Sequence, residues 1–302
     1  MIPAESPSWN PLIDLQQMWS YPFMVNAFRA GAIVAVLAGV MGWFMVLRRQ
    51  SFAGHTLSVI GFPGAAGAVL IGVAASYGYF AFCVAGALVI AILPHAGRAG
   101  FSSESAITGT VQAFALACGF LFVALSKGFL NGVNALLFGS FLGITTGQVI
   151  GLALVAAVAV LVLGVIGRPL VFASIDPDVA AARTVPVRAL SVLFLVLLGA
   201  AVAEASQITG TLLVFALLVM PAASAQALTA RPFHSLALTI AIGLFVTWLG
   251  LSVAYYTPFP VGFFVTTFAF AGYVGAQLAR QLRIRRRTSH ASASPSTPGI
   301  AA

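Results

Sequence analysis

Apolar runs separated by short polar breaks cover most of the chain, at 23–47, 56–76, 80–95, 107–125, 146–166, 189–206, 210–230, 235–255 and 261–279. A helix needs about 20 apolar residues to cross the hydrocarbon of a bilayer, so the pattern predicts about nine transmembrane helices. Two features keep the count between eight and ten. The break Ser206-Gln207-Ile208-Thr209-Gly210 reads either as a loop or as a kink, and 130–143 reads as a loop or as a re-entrant or interfacial helix. Small residues recur every fourth position at Ala27, Gly31, Ala35 and Gly39, at Gly64, Ala68 and Gly72, and at Gly139, Gly143 and Gly147. Such stripes let helix backbones approach closely in lipid. The fold class expected is an all-α polytopic membrane protein with its helices in a compact bundle.

Composition agrees with the pattern. Of 302 residues 61% are hydrophobic and 7% charged, with a mean hydropathy of +1.06, against roughly 45–50% and 25% in soluble domains. Too few charges exist to cover a water-facing surface, which excludes a soluble enzyme or a nucleic-acid-binding domain. The net charge of +8 instead gives orientation. If Arg48-Arg49 faces the cytoplasm, alternation puts twelve of the fourteen basic residues there, leaving Arg29 at the start of span one and Lys127 outside. This bias orients the N-terminus outside and the C-terminus in the cytoplasm. Residues 1–22, with Trp9, Trp19 and Tyr21, form a polar and interfacial lead-in. Residues 23–281 form the transmembrane domain with a cytoplasmic region at 168–188, and 282–302 form a basic, then disordered, tail. Cys83 and Cys118 lie inside apolar runs as small hydrophobes.

The chain contains no phosphate-cradling loop, no paired catalytic carboxylates and no Ser/His/Asp set at catalytic spacing. It is read as a non-enzyme, with no cofactor of its own. The longest insertion between spans, from Arg168 to Arg183, carries Asp176-Pro177-Asp178 before a run of alanines. Asp at the N-cap and Pro at the first helical position predict a short helix start, suited either to docking a soluble subunit or to a plain loop.

Six segments occur in one order: Val46-Leu47-Arg48-Arg49-Gln50-Ser51-Phe52-Ala53-Gly54; Phe62-Pro63-Gly64; Glu104-Ser105-Ala106-Ile107; Leu137-Phe138-Gly139-Ser140; Ile175-Asp176-Pro177-Asp178 with Ala180; and Gly210-Thr211-Leu212-Leu213-Val214 running to Met220-Pro221-Ala222-Ala223. Through them the chain resembles, over roughly 23–280, the permease subunits of bacterial zinc/manganese/iron ABC importers. The resemblance implies a multi-pass permease paired with a second copy, a cytoplasmic ABC ATPase dimer that binds the ATP, an extracytoplasmic metal-binding protein, and a divalent transition metal as cargo moved by alternating access. It places Asp176, Pro177 and Asp178, with Arg183 closing the segment, at the surface facing the ATPase. Ile175 stands where the family usually has Phe.

The larger departure concerns the cargo. The family typically reads Gly-Asp-x-x-Ser-His, an acid and a histidine at i and i+4 on one helix face. This chain reads Gly54-His55-Thr56-Leu57-Ser58-Val59, so His55 takes the acid position and Val59 the histidine position. One imidazole suits zinc, copper or iron better than manganese. Glu204, an ionisable group inside a span, and Gln207 are the other candidate lining residues. His55 and Glu204 also fit interfacial positions. His95 and His234 read as boundary residues beside Arg98 and Arg231. Alternatives remain open: a metal chelate or non-metal cargo, a proton-coupled carrier using Glu204, or a structural membrane protein.

Overall fold

The computed structural model describes residues 11–92, 101–126, 139 and 143–292. Eleven helices are present among them: α1 (Pro11–Ser20), α2 (Pro22–Leu47), α3 (Ser51–Leu70), α4 (Ala75–Ile92), α5 (Phe101–Leu125), α6 (Thr146–Ile175), α7 (Pro177–Ala182), α8 (Val187–Thr209), α9 (Thr211–Leu228), α10 (Pro232–Tyr255) and α11 (Val261–Ser292). Helix starts follow local chemistry. Proline stands at the opening of α2, α7 and α10, where its missing N–H is one that a first turn leaves unpaired anyway. Thr145 and Gln148 cap α6 reciprocally.

Each of the nine apolar runs contains one helix among the described residues. Among the described residues eight helices are long and apolar enough to cross a bilayer, and α9 is shorter, apolar over Leu213–Leu228. Prolines 63, 169 and 221 lie inside α3, α6 and α9, which bundled membrane helices tolerate because neighbours compensate the lost bond. The insertion between spans expected to begin at Arg168 begins later: α6 continues through Pro169 to Ile175, held by Leu170 and Ala173, both buried. A second correction concerns the tail, since α11 continues through the basic patch to Ser292. His95, Arg98, Lys127, most of the 130–143 segment, residues 1–10 and residues 293–302 lie outside the described residues.

Helices α2 and α3 are the most enclosed of the spans, and α5 and α11 the least. Around α2 pack α6, α9 and α10, while α3 packs on α4, α5, α8 and α9. On α6, Leu154, Val158, Leu161 and Val165 form an exposed apolar stripe at helical spacing, the face turned to lipid. The small-residue stripes behave differently from one another. Gly39 packs on Ile240 and Gly243 on Ala35, so the first stripe joins α2 to α10. Gly64 and Gly78 bring the backbones of α3 and α4 together, and a Cβ on either would strike the other's carbonyl. Gly72 instead has φ +77 with open space around it, a turn position. The third stripe does not share one helix, because α6 begins only at Thr146.

Candidate functional site

Helices α3 and α5 run parallel, and their register is set by four contacts: Phe52 with Gly109, Thr56 with Gln112, Phe62 and Pro63 with Gly119, and Gly67 with Phe122. Phe52, one residue into α3, therefore sits level with the ninth residue of α5. At 1.5 Å per residue, α3 opens roughly 12 Å along α5, and His55 lies about one turn into the span Ser51–Leu70, level with Gln112 one turn into the span Thr108–Leu125.

There the His55 ring is enclosed by three helices. Its Nε2 lies 3.4 Å from Gln112 Nε2 on α5, and the Thr56 hydroxyl donates to Gln112 Oε1 at 2.9 Å. Phe215 on α9 meets the ring edge-to-face with centroids 4.7 Å apart, and Phe52 stands 6.5 Å away. The remaining nitrogen, Nδ1, is buried without a hydrogen-bond partner. A buried, unpaired imidazole nitrogen is costly unless something else meets it. Gln112 was not among the residues the sequence singled out. Its signal was there to be read: an amide one turn inside an apolar span needs a polar partner.

Phe215 reaches His55 because of the break between α8 and α9. Gly210 has φ 78 and ψ 155, a conformation essentially reserved for glycine. Thr209, Gly210 and Thr211 are all buried, so the Ser206–Gly210 break is a sharp internal corner. The Thr209 hydroxyl donates to the Ala205 carbonyl at 2.9 Å and the Gly210 N–H to Ser206 at 2.9 Å, which closes the last turn of α8.

Glu204 and Gln207 form a separate pair. Gln207 Nε2 donates to Glu204 Oε2 at 3.2 Å, and a Cβ at Gly151 would lie 3.7 Å from Glu204 Oε1, so this carboxylate rests against α6. The partners of His55 come from α3, α5 and α9, those of Glu204 from α6 and α8. The structure thus brings Glu204 to Gln207 but gathers neither to His55. Among the described residues no group of three or more His, Cys, Asp or Glu side chains is placed to hold a metal. His234 is exposed at the start of α10, as a boundary residue is.

At the other end of the bundle, Asp176 caps α7 by accepting from the Val179 N–H at 3.0 Å, with Pro177 at the first helical position. Ala180 is fully buried and pins α7 down. Pro177, Asp178, Val179 and Arg183 are exposed, so one face of this helix is free for a partner.

A profile of the ABC 3 transport family matches residues 20–280. The "Chelated iron transport system membrane protein YfeC" of Yersinia pestis is 30% identical over 285 residues, covering 91% of this chain and 95% of that one. The "Manganese import system permease protein ScaB" of Streptococcus parasanguinis is 28% identical over 242 residues, covering 80% and 85%. A solved chain of PsaBC from Streptococcus pneumoniae, in complex with a Fab, superposes with a TM-score of 0.78 at 24% identity, over 90% of this chain and 99% of its own. It shares the fold.

Proposed function

The chain belongs to the ABC 3 transport family, and on that premise we propose that it is the membrane-spanning permease subunit of an importer for a divalent transition-metal cation. The observation that carries the cargo assignment is His55, one turn into its span, with Nδ1 buried and unpartnered between Phe52, Gln112 and Phe215. Imidazole suits zinc or iron better than the harder manganese. A single neutral ligand also suits transport, because a full cage would trap the ion. Glu204 and Gln207 line a second polar point on the same route, nearer the outer end of α8.

Hydrolysis of ATP belongs to a separate cytoplasmic ATPase dimer, which docks on the exposed face of α7 through Pro177, Asp178 and Arg183. A second copy of this permease and an extracytoplasmic metal-binding protein complete the importer in the plasma membrane, with the N-terminus outside. Movement of α7 is passed to α6 and α8, against which it packs, and rocks the bundle between outward and inward states.

The test is the elemental content of cells lacking the gene, complemented with wild type or His55→Ala under metal limitation. Restoration of one metal by wild type alone supports the assignment. Equal restoration by both copies overturns the role of His55 and favours a chelated cargo, whose ligands already surround the metal.

A further inference from the structure

Gln112 has two polar partners, both on α3, and a side-chain amide has one accepting and one donating end. The row Thr56–Gln112–His55 uses both. With the Thr56 hydroxyl donating to Oε1, Nε2 faces His55 Nε2 and donates to its lone pair, which places the ring proton on Nδ1. Turning the amide reverses both bonds. Nε2 then donates to Thr56 Oγ1, which accepts as readily as it donates, and Oε1 accepts the proton of His55 Nε2, leaving a lone pair on Nδ1. The ring carries one proton in both arrangements, moved between its nitrogens by exchange with solvent. In both, His55 Nε2 is engaged, and the nitrogen left for another group is Nδ1.

We propose that Gln112 is a positioning residue for the cargo: it occupies His55 Nε2 and so reserves Nδ1 as the nitrogen that meets the metal. This rests on the proposed role of His55. It also explains how one histidine serves without a neighbouring acid, since a ligating imidazole ordinarily has its second nitrogen held by an outer partner that fixes ring orientation. Here a neutral amide fills that place. It orients the ring without the added basicity a carboxylate gives, which keeps binding weak enough for release.

The experiment uses the full chain, labelled with ¹⁵N-histidine in lipid nanodiscs, with His55→Ala identifying the His55 signals. Without metal, wild type should show one dominant His55 tautomer, and Gln112→Ala a mixture. Zinc alone should shift Nδ1 in wild type. Gln112→Ala should weaken zinc binding by about 10-fold or more and let zinc reach both nitrogens. Gln112→Glu should restore zinc binding at Nδ1, because its carboxylate accepts from Nε2. A zinc shift on Nε2 in wild type overturns the proposal. A Nδ1 shift unchanged in Gln112→Ala overturns the role of Gln112 alone. Zinc that moves neither nitrogen, in a protein whose tautomer still depends on Gln112, overturns the cargo role of His55 and the proposal with it.

Discussion

Arg48 Nη2 donates to the Ser191 hydroxyl at 2.6 Å, tying the turn that precedes the His55 helix to the first turns of α8. The same guanidinium donates to Ser174 Oγ at 3.2 Å and to Gln50 Oε1 at 3.1 Å, and its Cζ lies 5.4 Å from the centre of the Phe194 ring. Ser174 is two residues before Asp176, the cap of α7. One cation thus joins the ends of α2, α6 and α8 next to the proposed docking helix. Burial lowers its pKa from the ordinary arginine value, but arginine stays charged at physiological pH. Its partners here are hydroxyls, an amide and a ring.

Arg48→Ala should therefore destabilise the protein by about 1.5–3 kcal/mol, the range for hydrogen bonds to a charged group, read as a lower thermal midpoint in detergent. Arg48→Lys keeps the charge but not the planar fork that serves two hydroxyls on different helices at once. It should recover part of the stability and less of the uptake. Equal uptake in Arg48→Lys and wild type would rule out a linking role.

Much of this architecture was legible in the sequence, and what was missed has physical causes. Each of the nine apolar runs contains one helix among the described residues, because the bilayer requirement for length and hydropathy leaves few other solutions. The Asp176-Pro177 helix start was readable because a cap is a local feature. Arg168-Pro169 looked like the end of a helix, yet buried Leu170 and Ala173 carry α6 onward. That His55 and Glu204 have partners on different helices was not legible, because one-dimensional spacing says nothing about which helices face each other. Gln112 escaped for the same reason: its meaning lies in Thr56 and His55 across the helix boundary.

Asp176 is a helix cap as well as a docking candidate, and the two roles separate by substitution. Asp176→Ala should cost about 1 kcal/mol through the lost bond to the Val179 N–H, while Asp176→Asn retains an acceptor and should lose a few tenths. Asp176→Arg with Asp178→Arg should abolish co-purification of the ATPase, with positive charge set at a helix N-terminus. Unchanged co-purification would exclude α7 as the docking element.

Gly210 holds the corner that aims Phe215 at His55. With φ 78 and ψ 155, Gly210→Ala forces a side chain into a backbone region costing on the order of 1–3 kcal/mol. The expected outcome is a lower thermal midpoint together with slower uptake, since relief of the strain shifts α9. A variant with wild-type stability and uptake would show that the corner is not held by glycine.

Glu204 accepts from Gln207 at 3.2 Å and rests on α6, an arrangement an amide can keep. Glu204→Gln should thus retain most of the uptake, and uptake should respond to ATP depletion and not to a protonophore. Loss of uptake in Glu204→Gln, with protonophore sensitivity in wild type, would turn the assignment to a proton-coupled carrier.

The departure at His55 and Val59 allows a selectivity switch to be built. Both residues lie one turn apart on α3 and both are half-buried, so the pair His55→Asp with Val59→His puts a carboxylate and an imidazole at i and i+4, close enough to share a cation. Adding a hard oxygen ligand favours manganese relative to the single imidazole. In manganese-limited cells the double variant should raise cellular manganese relative to zinc compared with wild type. The single change His55→Asp should do less, because it removes the one nitrogen ligand without replacing it. Should the double variant leave the ratio unchanged, this face of α3 does not meet the cargo. The turn between Phe52 and His55 would then be a packing surface for Phe215, and the ion route would have to be sought along α6 and α8 beside Glu204.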